Sequence, residues 1–307
     1  MKVVSVNISE KKGTIKKPVP QIMLDENGVK TDAHAGSWHR QVSLLATESI
    51  RKFTKEAGRS IQFGEFAENI TTEGLELWKT HPFDRISIGE VELEVTQIGK
   101  ECHGTSCNIF KEVGNCVMPK EGIFARVLKN GIVKAGDVFT YRPKVFNVQV
   151  ITLSDRASRG EYEDKSGPAV SLRLQKWFEE IGWESAVDNT VIPDDEAELE
   201  SLVAGFVNQG VDFIFTTGGT GIGPRDITVD VIRPMLQKEI PGIMELICYK
   251  YGSQKPNALI SRAVAGVTAQ TLIYTLPGSV KAVEEYLNEI LPTLRHSIMM
   301  LHGIDAH

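Results

Sequence analysis

The stretch from Val211 to Asp230, VDFIFTTGGTGIGPRDITVD, constrains the fold of this chain more strongly than any other part of the sequence. Its first five residues are apolar apart from Asp212, which predicts a buried parallel strand from Val211 to Phe215. Glycines follow at positions 218, 219 and 221, and a helix is expected from Val229 to Gln237. A turn without side chains lets backbone N–H groups converge on an anion. Strand, glycine turn and helix N-terminus together therefore predict a phosphate-binding element.

The local residues leave a second interpretation of this stretch open. A glycine run after a strand is often only a tight turn, and Asp226 is well placed to cap the helix that follows. The stretch also lacks the Gly-Lys-Ser/Thr of a Walker loop and the spacing of the dinucleotide-binding fingerprint. Phosphate binding and a simple capped turn are both consistent with the stretch taken alone.

From residue 147 onward, strand and helix patterns alternate along the chain. Buried strands are predicted at Asn147–Leu153, Glu184–Ile192 and Thr271–Leu276, and helices at Ser166–Ile181, Glu196–Asn208 and from Ser279 to about His302. Such alternation indicates a doubly wound, mostly parallel α/β sheet in a three-layer arrangement. Ligands of these sheets bind beyond the carboxyl ends of the strands, where Asp155, Asp194 and the glycine turn fall.

Residues 1–142 show a different pattern, in which short strands are separated by turns. Strands are predicted at Val3–Ile8, Ile22–Leu24, Ile86–Ile88, Val91–Ile98 and Val138–Tyr141, with a helix at Leu44–Glu56 and a short turn at Thr72–Trp78. This composition predicts a β-rich, barrel-like domain with small helices. We expect residues 143–146 to be a linker and residues 147–307 to form the second domain.

Charge is distributed unevenly between the two parts. Residues 1–144 carry 21 Lys and Arg against 18 Asp and Glu, a balance of +3, whereas residues 145–307 carry 13 against 22, a balance of −9. Neither part is basic enough to indicate a nucleic-acid partner. The sequence has no run of eighteen apolar residues and no signal-peptide core at its start, so we expect a cytoplasmic protein without a membrane partner. Four cysteines in 307 residues do not indicate a disulfide framework.

Several motifs after residue 147 occur in the order found in one known family. They are SDRASRGEYEDKSGP from Ser154, the Pro-Asp-Asp turn at 193–195, TTGGTG at 216–221 with Asp226, Pro241 to Glu245, LISR at 259–262 and LPGS at 276–279. Over residues 147–302 the chain resembles the molybdopterin-binding domain of the MogA and MoaB proteins. The resemblance implies molybdopterin adenylyltransferase activity, in which the terminal phosphate of molybdopterin attacks the α-phosphate of ATP and pyrophosphate leaves. It also implies a molybdenum insertion protein as partner and a homo-oligomer, a trimer through this domain.

The resemblance assigns roles to residues at the strand ends. Nucleotidyl transfer needs positioned anions and neutralised charge more than covalent catalysis. Asp194 and Asp226 match the family's essential carboxylates and are expected to act in catalysis by holding one Mg²⁺. For Asp194, a turn or cap role is the alternative. The predicted substrate- and nucleotide-binding residues are Ser154, Asp155, Thr217, Gly218, Gly219, Thr220, Gly221, Glu245, Ser261, Pro277, Gly278 and Ser279. Of these, Asp155 and Glu245 would bind amino groups of the pterin ring, although helix capping explains them equally well.

Motifs in the first part match a second family. They are the segments Gly28–Gly36, His39–Leu44, Phe66–Leu75, Ile98–His103, Gly122–Val127 and Gly131–Asp137. Over most of residues 1–142 they resemble the MOSC domain, named for the C-terminal part of molybdenum cofactor sulfurases. That family uses a single cysteine to carry sulfur or to contact the cofactor, and the matching residue here is Cys102. The resemblance thus implies molybdenum cofactor or a persulfide as ligand of this domain.

Cys102 has neighbours that favour the reactive thiolate. It follows a predicted strand, His103 lies beside it and Lys100 precedes it by two residues. A thiolate can hold or attack a persulfide sulfur. Two alternatives remain open: an inert buried thiol, or a zinc site with His103, Cys107 and Cys116, whose spacing fits common zinc patterns poorly.

Two functions from different classes follow from these motifs. The first is an enzyme that adenylylates molybdopterin with Mg²⁺ and ATP, while its first domain handles sulfur or receives the cofactor. The second is a non-catalytic carrier that binds molybdopterin or molybdenum cofactor and passes it on. A weaker third is a nucleotide-dependent enzyme of the same fold with another heterocyclic substrate.

Overall fold

The computed structural model describes residues 1–100 and 116–304 of the chain. The chain divides into two compact units, Met1–Lys144 and Val145–His307. Within the described ranges, no helix is both long enough and apolar enough to cross a membrane.

The N-terminal unit is built from short strands. Its described strands are β1 (Lys2–Ile8), β2 (Lys17–Val19), β3 (Gln21–Asp25), β4 (Gly28–Val29), β5 (Val42–Ala46), β6 (Ile70–Glu73), β7 (Arg85–Ile88), β8 (Val91–Ile98), β9 (Ile123–Lys129), β10 (Gly131–Lys134) and β11 (Phe139–Arg142). Its described helices are α1 (Thr47–Ala57), α2 (Met118–Glu121) and a 3₁₀ helix at Leu77–Lys79.

These strands form one large curled sheet and one small sheet. The large sheet has the order β11-β7-β8-β9-β5-β6-β1-β2, and the small one has the order β10-β3-β4. Two backbone hydrogen bonds bring β1 against β11 at the opposite edge of the sheet. Val3 N donates to Asp137 O (2.8 Å), and Phe139 N donates to Met1 O (3.2 Å). The large sheet therefore curls into a half-barrel, as the barrel-like prediction anticipated, and apolar side chains such as Val6, Leu44 and Leu93 fill its core.

The helix predicted at Leu44–Glu56 is wrong in its first residues. Val42–Ala46 is the strand β5, and α1 begins only at Thr47. All five residues of β5 are buried because the strand lies between β6 and β9, so it lacks the alternation that identifies a half-exposed strand. The turn predicted at Thr72–Trp78 is likewise partly strand, since β6 extends to Glu73 before the 3₁₀ helix at Leu77–Lys79.

The C-terminal unit alternates strands and helices. Its described strands are β12 (Val145–Leu153), β13 (Glu184–Ile192), β14 (Phe213–Thr217), β15 (Lys238–Glu239), β16 (Ala265–Thr268) and β17 (Thr271–Leu276). Its described helices are α3 (Asp155–Ser158), α4 (Ser166–Glu180), α5 (Glu196–Asn208), α6 (Thr228–Met235), α7 (Pro241–Gly252), α8 (Val280–Leu301) and a 3₁₀ helix at Pro256–Ile260.

The sheet of this unit has the order β13-β12-β14-β17-β16-β15. The first four strands are parallel, and β16 and β15 continue the sheet antiparallel. The predicted strand at Val211–Phe215 is shifted by two residues, because Thr216 and Thr217 still pair with β12 and β17. Strand β12 likewise starts at Val145 instead of Asn147, since Val145 and Phe146 pair with β13. The fold of this unit is mixed α/β, and the carboxyl ends of its parallel strands meet at one edge.

Apolar side chains of successive residues in β14 enter two different clusters. Ile214 packs in a cluster with Leu199 of α5 and Val229 of α6. Phe213 instead packs against Phe146 and Phe178, with ring centroids 6.0 and 5.9 Å away. Because successive side chains of a strand point to opposite faces, the two clusters lie on opposite faces of the sheet.

Candidate functional site

The turn after β14 adopts a backbone that requires glycine. Gly218 has φ 102° and Gly219 has φ 63°, in the left-handed region that side chains disfavour. A Cβ on Gly218 would lie 2.4 Å from the carbonyl oxygen of Leu153, and one on Gly219 would lie 2.4 Å from Oγ1 of Thr228. The TTGGTG sequence is therefore needed to pass the turn between β12 and the start of α6.

The turn after β17, Pro277–Gly278–Ser279, lies directly against the glycine turn. Gly218 N donates to Leu276 O (3.0 Å) and Thr217 Oγ1 donates to Pro277 O (2.8 Å). A Cβ on Gly278 would lie 3.3 Å from Cα of Gly218, so the two backbones are in contact. Ser279 caps α8, its Oγ accepting from Ala282 N (3.3 Å).

Several N–H groups of the two turns point to no acceptor in the described part of the chain. They belong to Gly219, Thr220 and Gly221 of the first turn and to Gly278 and Ser279 of the second. Backbone N–H groups without acceptors at two adjacent turns are suited to bind an anion, and the N-terminus of α8 adds its dipole. The sequence prediction that both turns lie at one sheet edge agrees with this geometry.

Asp155 and Asp194 hold each other at the ends of β12 and β13. Asp155 N donates to Asp194 Oδ2 (3.2 Å), and Asp194 N donates to Asp155 Oδ1 (3.1 Å). Ser154 precedes them as the cap of α3, with Oγ accepting from Ala157 N (3.2 Å). The carboxyl of Asp194 is half-buried, and burial raises its pKa, to which the negative charges of Asp155 and Asp226 add.

Arg225 binds Asp155 across the edge. Its Nε donates to Oδ2 (3.0 Å) and one terminal nitrogen donates to Oδ1 (2.6 Å), a two-pronged pair. Hydrogen bonding from Arg225 lowers the pKa of Asp155 despite some opposing desolvation. The sequence pattern did not predict this ion pair, whose partners are 70 residues apart.

Asp226 is turned toward its own loop. Its Oδ2 accepts from Gly223 N (2.7 Å), and a Cβ on Gly221 would lie 2.7 Å from the same oxygen. Oδ1 of Asp226 and Oδ1 of Asp194 accept no hydrogen bond from the described residues. In the part of the chain that the structure covers, no group of three or more His, Cys, Asp or Glu is placed to hold a metal. Two carboxylate oxygens with free acceptor capacity at one edge still fit an ion that takes its other ligands from water and phosphate.

Arg262 braces the glycine loop from the opposite side. It donates from Nε to Gly221 O (2.7 Å) and from a terminal nitrogen to Asp226 O (2.7 Å), and it pairs with Asp230 (2.7 Å). The guanidinium thus fixes the backbone that carries Asp226. The LISR motif at 259–262 did not predict that Arg262 binds the backbone of this loop.

Glu245 and Ser261 line a separate cavity next to Arg262. The cavity has a volume of about 270 Å³, and Met244, Cys248 and Tyr286 also line it. Ser261 Oγ accepts from the hydroxyl of Tyr286 (2.9 Å). Arg262 borders both this cavity and the glycine loop, so the two predicted groups of binding residues share one wall.

In the N-terminal unit, the predicted Cys102 and its neighbours His103 and Cys107 lie outside the described residues. Cys116 is described and is half-buried, packed against an apolar cluster that includes Phe53 and Met118. The structure therefore leaves the sulfur, thiol and zinc interpretations of Cys102 as they stood.

The described part of that unit contains a buried charged cluster. Lys16 Nζ lies 2.6 Å from Asp32 Oδ2, and each side chain is only 1% exposed. Asp32 also accepts from Ser9 N and His34 N, both at 2.9 Å. Glu68 is fully buried with Oε1 bound to Gly64 N (2.6 Å), while its Oε2 has no hydrogen-bond partner among the described residues. Asp32 and Glu68 lie in segments that match the MOSC motifs, whereas Lys16 lies outside those segments.

Comparison with known proteins matches both units. The family model "MOSC domain" matches residues 31–140, and the model "Probable molybdopterin binding domain" matches residues 149–296. Gephyrin of Dictyostelium discoideum is 36% identical over 161 residues, which cover 51% of this chain but only 22% of gephyrin. The molybdopterin adenylyltransferase of Pyrococcus furiosus is 34% identical over 163 residues, which cover 50% of this chain and 93% of that protein. The solved structure of the molybdopterin biosynthesis Mog protein from Mycobacterium ulcerans is 32% identical in sequence, with a TM-score of 0.47. The match covers 51% of this chain and 99% of that protein's chain.

Proposed function

Since this chain belongs to the MogA/MoaB family of molybdenum cofactor biosynthesis proteins, with a MOSC domain before the molybdopterin-binding domain, we propose that it adenylylates molybdopterin. In the proposed reaction, an oxygen of the pterin's terminal phosphate forms a bond to the α-phosphorus of ATP. The bond from that phosphorus to the bridging oxygen of the β-phosphate breaks, and pyrophosphate leaves. Positioning of two polyanions is the main task of the protein in such a transfer.

The observation that carries this proposal is the set of N–H groups without acceptors at the two adjacent turns. Gly219, Thr220 and Gly221 offer donors from one turn, and Gly278 and Ser279 offer donors from the other. Donors fixed by the backbone can hold phosphate oxygens without reorganising during the reaction. Their contact at Gly218 and Gly278 would keep the two phosphate groups at a constant separation.

Asp194 and Asp226 are the residues we propose as ligands of Mg²⁺. The ion commonly uses one or two protein carboxylates and completes its shell with water and substrate phosphates. When bound, it would supply positive charge to phosphates held on a unit whose net charge is negative. Arg262 binds the backbone oxygen of Asp226 (2.7 Å) and so holds the segment that carries this carboxylate.

Turnover tests the proposal directly. The purified chain, given molybdopterin, ATP and Mg²⁺, should release pyrophosphate and form AMP-capped molybdopterin, detected by mass spectrometry. Asp226→Asn should lower turnover by about 10²–10³-fold while pterin binding persists. Asp188→Asn is the matched control, because Asp188 lies on β13 away from the turns and its Oδ2 accepts a hydrogen bond from Gln149 (3.2 Å); its turnover should equal that of the natural sequence.

A specific observation also favours the carrier function. Oδ2 of Asp226 is bound to its own loop, and Asp155 is held by Arg225. A site whose carboxylates are partly engaged by protein donors can bind a phosphate without activating it. Tight pterin binding with no pyrophosphate release from the unaltered chain would select the carrier over the enzyme.

For the N-terminal unit we propose sulfur handling or cofactor binding, in line with its MOSC match. The role of Cys102 in carrying a persulfide remains part of this proposal. Its measurement is the sulfane sulfur bound by the protein, which Cys102→Ser should remove; an unchanged content would refute the sulfur role.

Assembly and layer structure are further parts of the proposal. Helix α7 and the 3₁₀ helix at Pro256–Ile260 expose Leu246, Tyr249, Leu259 and Ile260, and an apolar surface of this kind supports a trimer through the C-terminal unit. Light scattering on Tyr249→Glu should then show smaller particles than the natural sequence gives. The apolar clusters on both faces of the sheet support the doubly wound three-layer arrangement. Cytoplasmic location and a molybdenum insertion partner stay predictions.

A further inference from the structure

Arg225 joins two loops at the strand edge, and adenylylation as outlined above gives it no role. It lies in the loop after β14, and it binds Asp155, which follows β12 and is 70 residues away in sequence. The pair is two-pronged, with Nε to Oδ2 at 3.0 Å and a terminal nitrogen to Oδ1 at 2.6 Å. A fork of this geometry is what a planar guanidinium offers to a carboxylate, or equally to a phosphate.

The pair is exposed, which makes it exchangeable. The side chain of Arg225 is 62% exposed and that of Asp155 is 26% exposed. Exposed ion pairs contribute little to stability, because water competes for both partners. Arg262 differs in this respect: it is bound at once to Gly221 O, Asp226 O and Asp230, and so it serves as a structural brace.

Arg225 sits where a cation is needed. The negative charges of Asp155, Asp194 and Asp195 all stabilise its protonated form. Asp226 is the next residue, and the N–H groups of Gly219 to Gly221 belong to the same loop. Arg225 is therefore close to Asp194, next to Asp226 in the chain, and part of the loop that carries the donors proposed to bind phosphate.

We propose that Arg225 is a resident counter-ion of this carboxylate cluster. A divalent cation displaces Arg225 from Asp155, and the released Arg225 then binds a phosphate group of the nucleotide. The inference rests on the proposed function for the identity of the anion. The exchange has a direction, because the incoming cation neutralises the carboxylates in place of Arg225. The guanidinium of Arg225 is then free to bind phosphate. Arg225 thus competes with the metal and cooperates with the nucleotide.

Removal of the guanidinium should therefore have opposite effects on two binding reactions. Mn²⁺ alone should bind Arg225→Gln more tightly, by up to about fivefold, because a competitor has been removed. A non-hydrolysable ATP analogue with saturating Mg²⁺ should bind the same variant about tenfold more weakly, because a charge-assisted hydrogen bond to phosphate is lost. Arg225→Lys keeps the charge without the fork and should fall between the natural sequence and Arg225→Gln in both measurements.

The experiment measures Mn²⁺ by electron paramagnetic resonance and the ATP analogue by calorimetry, on the full chain. Arg173→Gln is the charge-matched control; Arg173 lies on α4 and binds Asn288 of α8 (3.2 Å), and its loss should change neither affinity. Circular dichroism establishes that each variant is folded.

Two results would overturn the inference: Arg225→Gln binds Mn²⁺ no better than the natural sequence, or it binds the ATP analogue equally well. The Mn²⁺ measurement needs no nucleotide, so it decides the competition even if adenylylation is wrong. Failure of the proposed function shows separately, as a natural sequence that does not bind the ATP analogue at all.

Discussion

The two units place their ion pairs in opposite surroundings. In the N-terminal unit, Lys16 and Asp32 lie 2.6 Å apart with 1% of each side chain exposed. In the C-terminal unit, 62% of the Arg225 side chain and 26% of the Asp155 side chain are exposed to water. Removing an ion from water costs several kcal/mol, so a buried pair persists only when every partner is present. Similar ion pairs can therefore serve as a fixed structural element in one unit and as an exchangeable contact in the other.

Two buried carboxyl groups of the N-terminal unit have pKa values that are shifted in opposite directions. Burial alone would raise the pKa of Asp32, but hydrogen bonds from His34 and the charge of Lys16 outweigh it and hold that pKa well below its usual range. Burial raises the pKa of Glu68 to about 6, because the hydrogen bonds from Gly64 and Thr71 offset it only in part. The half-barrel thus contains one carboxyl that is firmly ionised and one that titrates near neutral pH.

The largest effect is expected from breaking the buried pair. Lys16→Met should lower the free energy of unfolding of the Met1–Lys144 unit by about 3–5 kcal/mol, because Asp32 is left buried without its cation. Hydrogen exchange of backbone amides in β1 and β5 measures this. The exposed neighbour variant Lys17→Met should change stability by less than about 0.5 kcal/mol. Equal effects of the two variants would remove the contrast between buried and exposed charge.

An intermediate effect is expected from Glu68 and depends on pH. A carboxyl whose pKa is raised by folding keeps its proton longer in the folded state. Its contribution is therefore fully present at low pH and is lost as the pH rises from about 4.5 through about 6. Between pH 4 and pH 7 the natural sequence should lose about 2 kcal/mol of stability relative to Glu68→Gln, which does not titrate. Urea unfolding at several pH values tests this; a difference that stays constant with pH would contradict it.

The smallest effect is expected from an exposed pair of the C-terminal unit. Lys176 and Glu180 lie one helical turn apart on α4, 3.9 Å from each other, with 67% and 57% of their side chains exposed. Lys176→Gln should change the free energy of unfolding by no more than about 0.5 kcal/mol. Amide exchange along α4 provides the measurement. A loss above about 1 kcal/mol would show that exposure is a poor guide to the strength of these pairs.

Much of the C-terminal unit could be predicted because its pattern is local. Strands at Glu184–Ile192 and Thr271–Leu276 and the helix at Glu196–Asn208 have the bounds that their apolar spacing predicted. The short strands β15 and β16 were not predicted, since two to four residues carry too little periodicity. In the N-terminal unit, the last three residues of β5 were predicted as helix, because burial on both faces depends on partners that are distant in sequence.

The candidate site was likewise predictable only where its residues follow from the strand pattern. The sequence placed Asp194, Asp226 and the two turns at one edge, because parallel strands bring their carboxyl ends together. The Arg225–Asp155 pair spans 70 residues and leaves no spacing to detect. The Lys16–Asp32 pair was not predicted either. Its spacing is equally uninformative, and a lysine in a polar segment is ordinarily solvated. Contacts between residues that are distant in sequence form only on folding, so they could not be predicted from local periodicity.

The close approach of Gly218 and Gly278 has a consequence for how this protein can change. The two glycines are sixty positions apart, yet a side chain added to Gly278 would press on the backbone at Gly218. A substitution, insertion or shortening in either loop must therefore be accommodated by its counterpart. For protein engineering, the two segments behave as one part and have to be exchanged together.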